Sequence, residues 1–102
     1  MIRPLLPAEI EQALASLPGW SYRDGALCCE ARFASFRAAI AFIASCVDDI
    51  DRLDHHPEWC NVYNRVRIRL TTHDAGNQVT ERDVALARCL QERLRAALPP
   101  TP

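Results

Sequence analysis

All three histidines of this 102-residue chain lie between Asp51 and Asp83. His55 and His56 are adjacent in Asp51-Arg52-Leu53-Asp54-His55-His56-Pro57-Glu58-Trp59, and His73 follows in Thr72-His73-Asp74. Imidazole is the side chain that exchanges protons most readily near neutral pH. Histidines set among carboxylates therefore point to general acid–base chemistry. Little else in the chain competes. There is no glycine-rich phosphate loop, no nucleophile elbow and no C-x-x-C pair. All 12 basic residues are arginine, so a lysine Schiff base is excluded.

Metal chemistry fits less well. Neighbouring side chains of an extended segment point to opposite sides, which argues against His55 and His56 sharing an ion. The spacing to His73 matches no usual zinc pattern. The expectation is no metal and no organic cofactor. The five cysteines, Cys28, Cys29, Cys46, Cys60 and Cys89, are odd in number. They are expected as buried free thiols of a reducing, cytoplasmic compartment rather than as nucleophiles or disulfides.

Several residues could serve the histidines. Asp48, Asp49, Asp51 and Asp54 crowd the expected C-terminal end of a helix, where carboxylates oppose the macrodipole. Such a broken local rule marks a candidate site. Asp51 precedes His55 by one helical turn and would favour its imidazolium form. Trp59 and Tyr63 fall on one face of an expected strand, an aromatic wall suited to a flat ring. Arg82 opens the last helix, where the dipole does not favour a cation.

These groups need elements to hold them. The periodicity predicts a helix over 8–17, stopped by Pro18-Gly19. A hairpin follows, with strands 20–23 and 26–33 about the Asp24-Gly25 turn. Ser35 caps a long helix that ends near Asp54 or His55, ahead of Pro57. Its predicted core stripe is Phe36, Ile40, Ile43, Val47 and Ile50. Residues 59–63 pair with Arg65–Leu70 about a turn near Asn64. In that second strand Val66, Ile68 and Leu70 face the core and Arg65, Arg67 and Arg69 face away. His73 then returns towards the His-His-Pro turn. Thr80 caps the last helix, with Asp83 placed for a capping box and Leu86, Leu90, Leu94 and Leu98 on its apolar face. Pro99-Pro100-Thr101-Pro102 is a frayed tail. The order α-β-β-α-β-β-α predicts an α+β fold, three helices on one face of a four-stranded antiparallel sheet.

The length predicts a single domain over 1–102, small enough that oligomerisation would help it. Hydrophobic residues make up 49% and charged residues 25%, as in a soluble globular domain. A net charge of -1 gives no case for nucleic acid or membrane binding. No apolar run is long enough to span a bilayer, and the N-terminus carries no cleavable signal. Abundant arginine and alanine suggest a GC-rich bacterial genome.

Taken together, these residues resemble the pterin-4a-carbinolamine dehydratase family. Its pattern is an acidic residue, three residues, His-His-Pro, an aromatic, a third histidine and a downstream aspartate. It falls here on Asp51, His55-His56-Pro57, Trp59 and Tyr63, His73 and Asp83. Leu17-Pro18-Gly19-Trp20, Asn61-Val62-Tyr63-Asn64 and Thr80-Glu81-Arg82-Asp83 also fit. Asp51 stands where glutamate is common, and the Gly76-Asn77-Gln78-Val79 loop is one residue longer than the pattern.

The resemblance implies dehydration of 4a-hydroxytetrahydrobiopterin, or a related pterin, to quinonoid dihydropterin. That reaction recycles the cofactor of aromatic amino acid hydroxylases. The expected catalytic residues are His55 and His73 as the acid–base pair, His56 orienting the pterin and Asp51 tuning the histidines. Trp59, Arg82 and Asp83 are expected to bind the pterin. The family also implies a homodimer or homotetramer. It carries an alternative, a non-enzymatic interaction module that serves as a transcriptional dimerisation cofactor or in Rubisco assembly. Such a module has no need of three histidines, which favours the enzyme.

Overall fold

A computed structural model describes residues 2–98, so the predicted tail lies outside the described residues. The order is α1 (Pro7–Leu14), β1 (Trp20–Arg23), β2 (Ala26–Arg32), α2 (Phe36–Ser45), α3 (Val47–Leu53), β3 (Glu58–Val62), β4 (Arg65–Leu70) and α4 (Glu81–Ala97). The four strands form one antiparallel sheet in the order β1-β2-β4-β3. The chain is the expected α+β layer.

Alternation builds the sheet. Val66, Ile68 and Leu70 of β4 are buried and stand opposite Ala31, Cys29 and Leu27 of β2, also buried. Arg65, Arg67 and Arg69 point to the helix-free face, the strand pleat sending successive side chains to opposite sides. The β1–β2 turn places Asp24 and Gly25 at φ 50 and 79, the left-handed pair that two-residue hairpins require.

The predicted long helix is two consecutive segments. Ser35 caps the first, accepting from Ala38 N at 3.1 Å. At its end the Phe42 carbonyl accepts from Ser45 Oγ at 2.6 Å and Cys46 Sγ at 3.3 Å, while Cys46 N turns to Ile43 O. Side chains inserted into the i→i−4 ladder interrupt a helix in this way.

The core stripe also differs from the predicted one. Ile50 is buried and Ile43 packs against the core as predicted, but Phe36, Ile40 and Val47 are exposed, and Ala39, Phe42 and Cys46 are buried in their place. Nearly every residue of α2 is apolar, so two adjacent stripes compete. The buried one carries Ala39, small enough for close packing, and Phe42, whose ring stacks on Phe33 at 5.2 Å.

Candidate active site

Helix α3 ends on Asp54, whose left-handed backbone (φ 49) closes a Schellman motif. Asp54 N bonds Asp51 O at 3.1 Å and His55 N bonds Ile50 O at 3.4 Å. This motif folds the residue after the cap back over the last helical turn. His55 is therefore buried above Ile50, with 8% of its surface exposed. Asp54 tolerates the conformation because its short polar side chain can serve it locally.

The β3–β4 register carries the second segment to the same place. Glu58 stands opposite Arg69, so the residues before Glu58 and those after Leu70 share one end of the sheet. Thr72 there is buried, and His73 opens a 3₁₀ turn over His73–Ala75. The third segment is the start of α4, where the capping box forms as the sequence predicts. Asp83 Oδ2 accepts from Thr80 N at 2.8 Å, and Thr80 Oγ1 accepts from Arg82 N at 3.2 Å.

Asp83 joins the three. It is 0% exposed. Its Oδ1 lies 2.6 Å from His55 Nε2, and its Oδ2 accepts from Thr72 Oγ1 at 2.8 Å. Each converging segment thus sets one residue in the buried node and an exposed neighbour beside it. The pairs are His55 with His56, Thr72 with His73, and Asp83 with Arg82. That is how residues distant in sequence present two histidines and an arginine to solvent around a buried Asp–His pair.

This placement revises several expectations. The carboxylate partner of His55 is Asp83, not Asp51, because His55 lies beyond the end of α3. Asp51 instead faces His56, Oδ1 to Nε2 at 3.9 Å, with both side chains mostly exposed. Asp83, expected against the pterin, is sealed inside with both oxygens engaged. The helix break moves Asp48 and Asp49 into the first turn of α3, where carboxylates suit the dipole. Asp49 also accepts from Arg93 at 2.9 Å and Arg52 at 3.1 Å, so only Asp51 and Asp54 crowd a helix end. Trp59 is half-buried against the core, while Tyr63 sits in the β3–β4 turn at φ 53 and is 66% exposed. The two do not form one strand face.

The other donors are quieter. His73 Nδ1 and Asn77 Oδ1 approach to 3.3 Å across the 3₁₀ turn. Among the described residues no cluster of three or more His, Cys, Asp or Glu side chains is arranged to hold a metal ion. All five cysteines are free. Cys29 and Cys46 are buried, Cys28 and Cys89 are half-buried, and Cys60, expected inside, is exposed on edge strand β3. A concavity on the helix-free face of the sheet, lined by Arg67, Arg69, Cys28 and Trp59 among others, contains none of the histidines. No helix of the described residues is long and apolar enough to cross a membrane.

Thr72 and Thr80 are the site residues that sequence reading missed as such. Thr80 was visible only as a cap, and nothing local connects Thr72 to Asp83.

Known proteins resemble this chain over most of its length. A protein of Opitutus terrae provisionally named pterin-4-alpha-carbinolamine dehydratase is 50% identical over 84 residues, 82% of this chain and 87% of its own length. One of Rhizorhabdus wittichii with the same provisional name is 47% identical over 92 residues, 88% of this chain and 94% of its own. The crystal structure of a transcriptional coactivator/pterin dehydratase from Brucella melitensis superposes with a TM-score of 0.84 at 39% identity, covering 89% of this chain and 98% of that one. Residues 3–93 match the family described as Pterin 4 alpha carbinolamine dehydratase. With relatives this similar and a match of that extent, the chain belongs to the pterin-4a-carbinolamine dehydratase family.

Proposed function

We propose that this chain is a hydro-lyase that removes water from a 4a-hydroxytetrahydropterin, giving the quinonoid dihydropterin. The observation that carries the reading is the buried His55–Asp83 pair at 2.6 Å, flanked by exposed His56 and His73. The relatives' names supply the substrate class.

The chemistry asks for two proton transfers. Hydroxide is a poor leaving group, so an acid protonates it as the C4a–O bond breaks. A base removes the proton from the ring nitrogen. Each positioned transfer contributes about 10²–10⁴-fold. Asp83 accepts at every oxygen, so the proton on the short bond belongs to His55 Nε2. The lone pair of the neutral ring then sits on Nδ1. Among the described residues no buried side-chain nitrogen or oxygen lacks a partner, and Nδ1 has none, so it reaches solvent. A ring held this way is a base at Nδ1, with Asp83 stabilising the imidazolium that forms. His73 serves as the acid, and His56, steadied by Asp51, orients the pterin with Arg82 and Trp59. Water accepts and returns the protons between turnovers, so neither metal nor organic cofactor takes part.

Stopped-flow dehydration of a 4a-hydroxytetrahydropterin tests this. His55→Ala and His73→Ala should each lose most activity over a bell-shaped pH profile. Near-wild-type rates in both would sink the reading.

A second role has its own observation. The Brucella melitensis neighbour is named a coactivator as well as a dehydratase, and here α2 exposes Phe36 and Ile40 and the start of α3 exposes Val47. That apolar face suits a homodimer or homotetramer, and an interaction function would use the same surface.

A further inference from the structure

We infer that Thr72 and Thr80 form a positioning relay that fixes the plane of Asp83 and, through it, the tautomer of His55. This rests on the proposed use of His55 as the base, and it adds residues with no contact to the substrate.

The relay follows from counting protons. Thr72 Oγ1 lies 2.8 Å from Asp83 Oδ2, and a carboxylate only accepts, so the Thr72 hydroxyl proton is spent there. Thr72 Oγ1 also lies 2.6 Å from Thr80 Oγ1. With its one proton committed, Thr72 accepts in that bond and Thr80 donates. Thr80 in turn accepts from Arg82 N at 3.2 Å. The bonds therefore run one way, from the first turn of α4 through two hydroxyls to Oδ2. Bonds aligned like this polarise one another.

Burial makes the chain rigid. Thr72 is 2% exposed, and Thr80 and Asp83 are 0% exposed, so water does not substitute for a missing donor. Oδ2 is held by two donors, Thr72 Oγ1 and Thr80 N, which fixes the carboxylate plane and aims Oδ1 at His55 Nε2. With Oδ1 fixed as an acceptor, the ring keeps its proton on Nε2 and its lone pair on Nδ1, facing outward. Two threonines on the Oδ2 side of Asp83 thus set which nitrogen reacts. His73 follows Thr72 directly, so the same residue anchors the segment carrying the other reacting histidine.

The test compares Thr72→Val, which removes the hydroxyl at constant shape, with Thr72→Ser, which keeps it. The tautomer of His55 is read from imidazole ¹⁵N shifts, assigned with His55→Gln, alongside stopped-flow dehydration. Wild type and Thr72→Ser should show the Nε2–H form. Thr72→Val should mix the two tautomers and lower kcat about tenfold, with KM changed less than about twofold.

The inference is overturned if Thr72→Val keeps the wild-type tautomer and kcat while only its Tm falls, or if Thr72→Ser is as defective as Thr72→Val. Should Thr72→Val fail to fold, wild type decides alone, because an Nδ1–H tautomer there refutes the relay. Full activity in His55→Gln would instead defeat the acid–base reading and leave the tautomer result standing.

Discussion

Asp83 Oδ1 lies 2.6 Å from His55 Nε2 although 28 residues separate them, and the carboxylate has no exposed surface. One ends the turn after α3 and the other sits in the first turn of α4. The contact couples a helix cap to the proposed chemistry. The carboxylate that satisfies Thr80 N in the capping box is the same one that holds the imidazole.

Asp83→Asn tests that double duty. The amide keeps the volume and can still accept from Thr72 and Thr80 on its oxygen. Its NH₂ must then face His55 Nε2, which forces the proton to Nδ1 and removes the proposed base. Dehydration is expected to fall by about 10²–10⁴-fold in kcat. The fold should survive, with far-UV circular dichroism unchanged.

The histidines should separate by stability as well as by rate. His55→Ala leaves Oδ1 of a fully buried carboxylate unpartnered, at a cost of about 1–3 kcal/mol in urea unfolding. His56→Ala and His73→Ala alter exposed side chains and should stay within about 0.5 kcal/mol of wild type. In dehydration assays His73→Ala should lower kcat, whereas His56→Ala should act chiefly on KM.

Much of this could be read from the residues alone, for local reasons. The Asp24-Gly25 turn, the strict alternation of β4 and the Thr80–Asp83 cap each depend on neighbours within a few positions, and each stands in the structure. The return of the segment after β4 to the end of the sheet that holds the His-His-Pro turn was legible too, because a β3–β4 hairpin forces residues 57 and 71 to one end of the sheet. What escaped was decided by packing. The choice between two apolar stripes on α2 turned on how closely Ala39 lets the helix approach its neighbours. The break at Cys46 came from side-chain bonds to Phe42 O. The partner of His55 was misjudged because Asp51 is one turn away in sequence, while Asp83 is brought by a different element. Thr72 carries no signal at all until Asp83 is placed beside it.

The thiols should react in two classes. Burial pushes Cys29 and Cys46 up to about 11, so little thiolate exists near neutral pH and access is closed as well. In a disulfide-exchange assay at about pH 8 both should remain unmodified in the native protein and react on unfolding. Exposed Cys60 should supply the fast phase, and Cys60→Ser should remove it. Rapid native labelling of Cys46 would show that the α2–α3 junction opens.

Asp49 should make stability depend on acid pH. The Arg93 guanidinium, and then Arg52, hold its carboxyl below the ordinary value of 3.8. A carboxyl whose folded value is depressed stabilises the fold above its unfolded value, and that contribution is lost as pH falls through the folded one. The pair ties α3 to α4, the two helices that bring His55 and Asp83 together. Asp49→Asn should therefore lower Tm at neutral pH, and the gap to wild type should narrow once pH falls below the unfolded value of about 4 and close as it passes through the lower folded value. Arg52 is largely exposed and Arg93 half-buried, so added salt should narrow it too. A gap that stays constant down to about pH 2 would assign the effect to packing rather than charge.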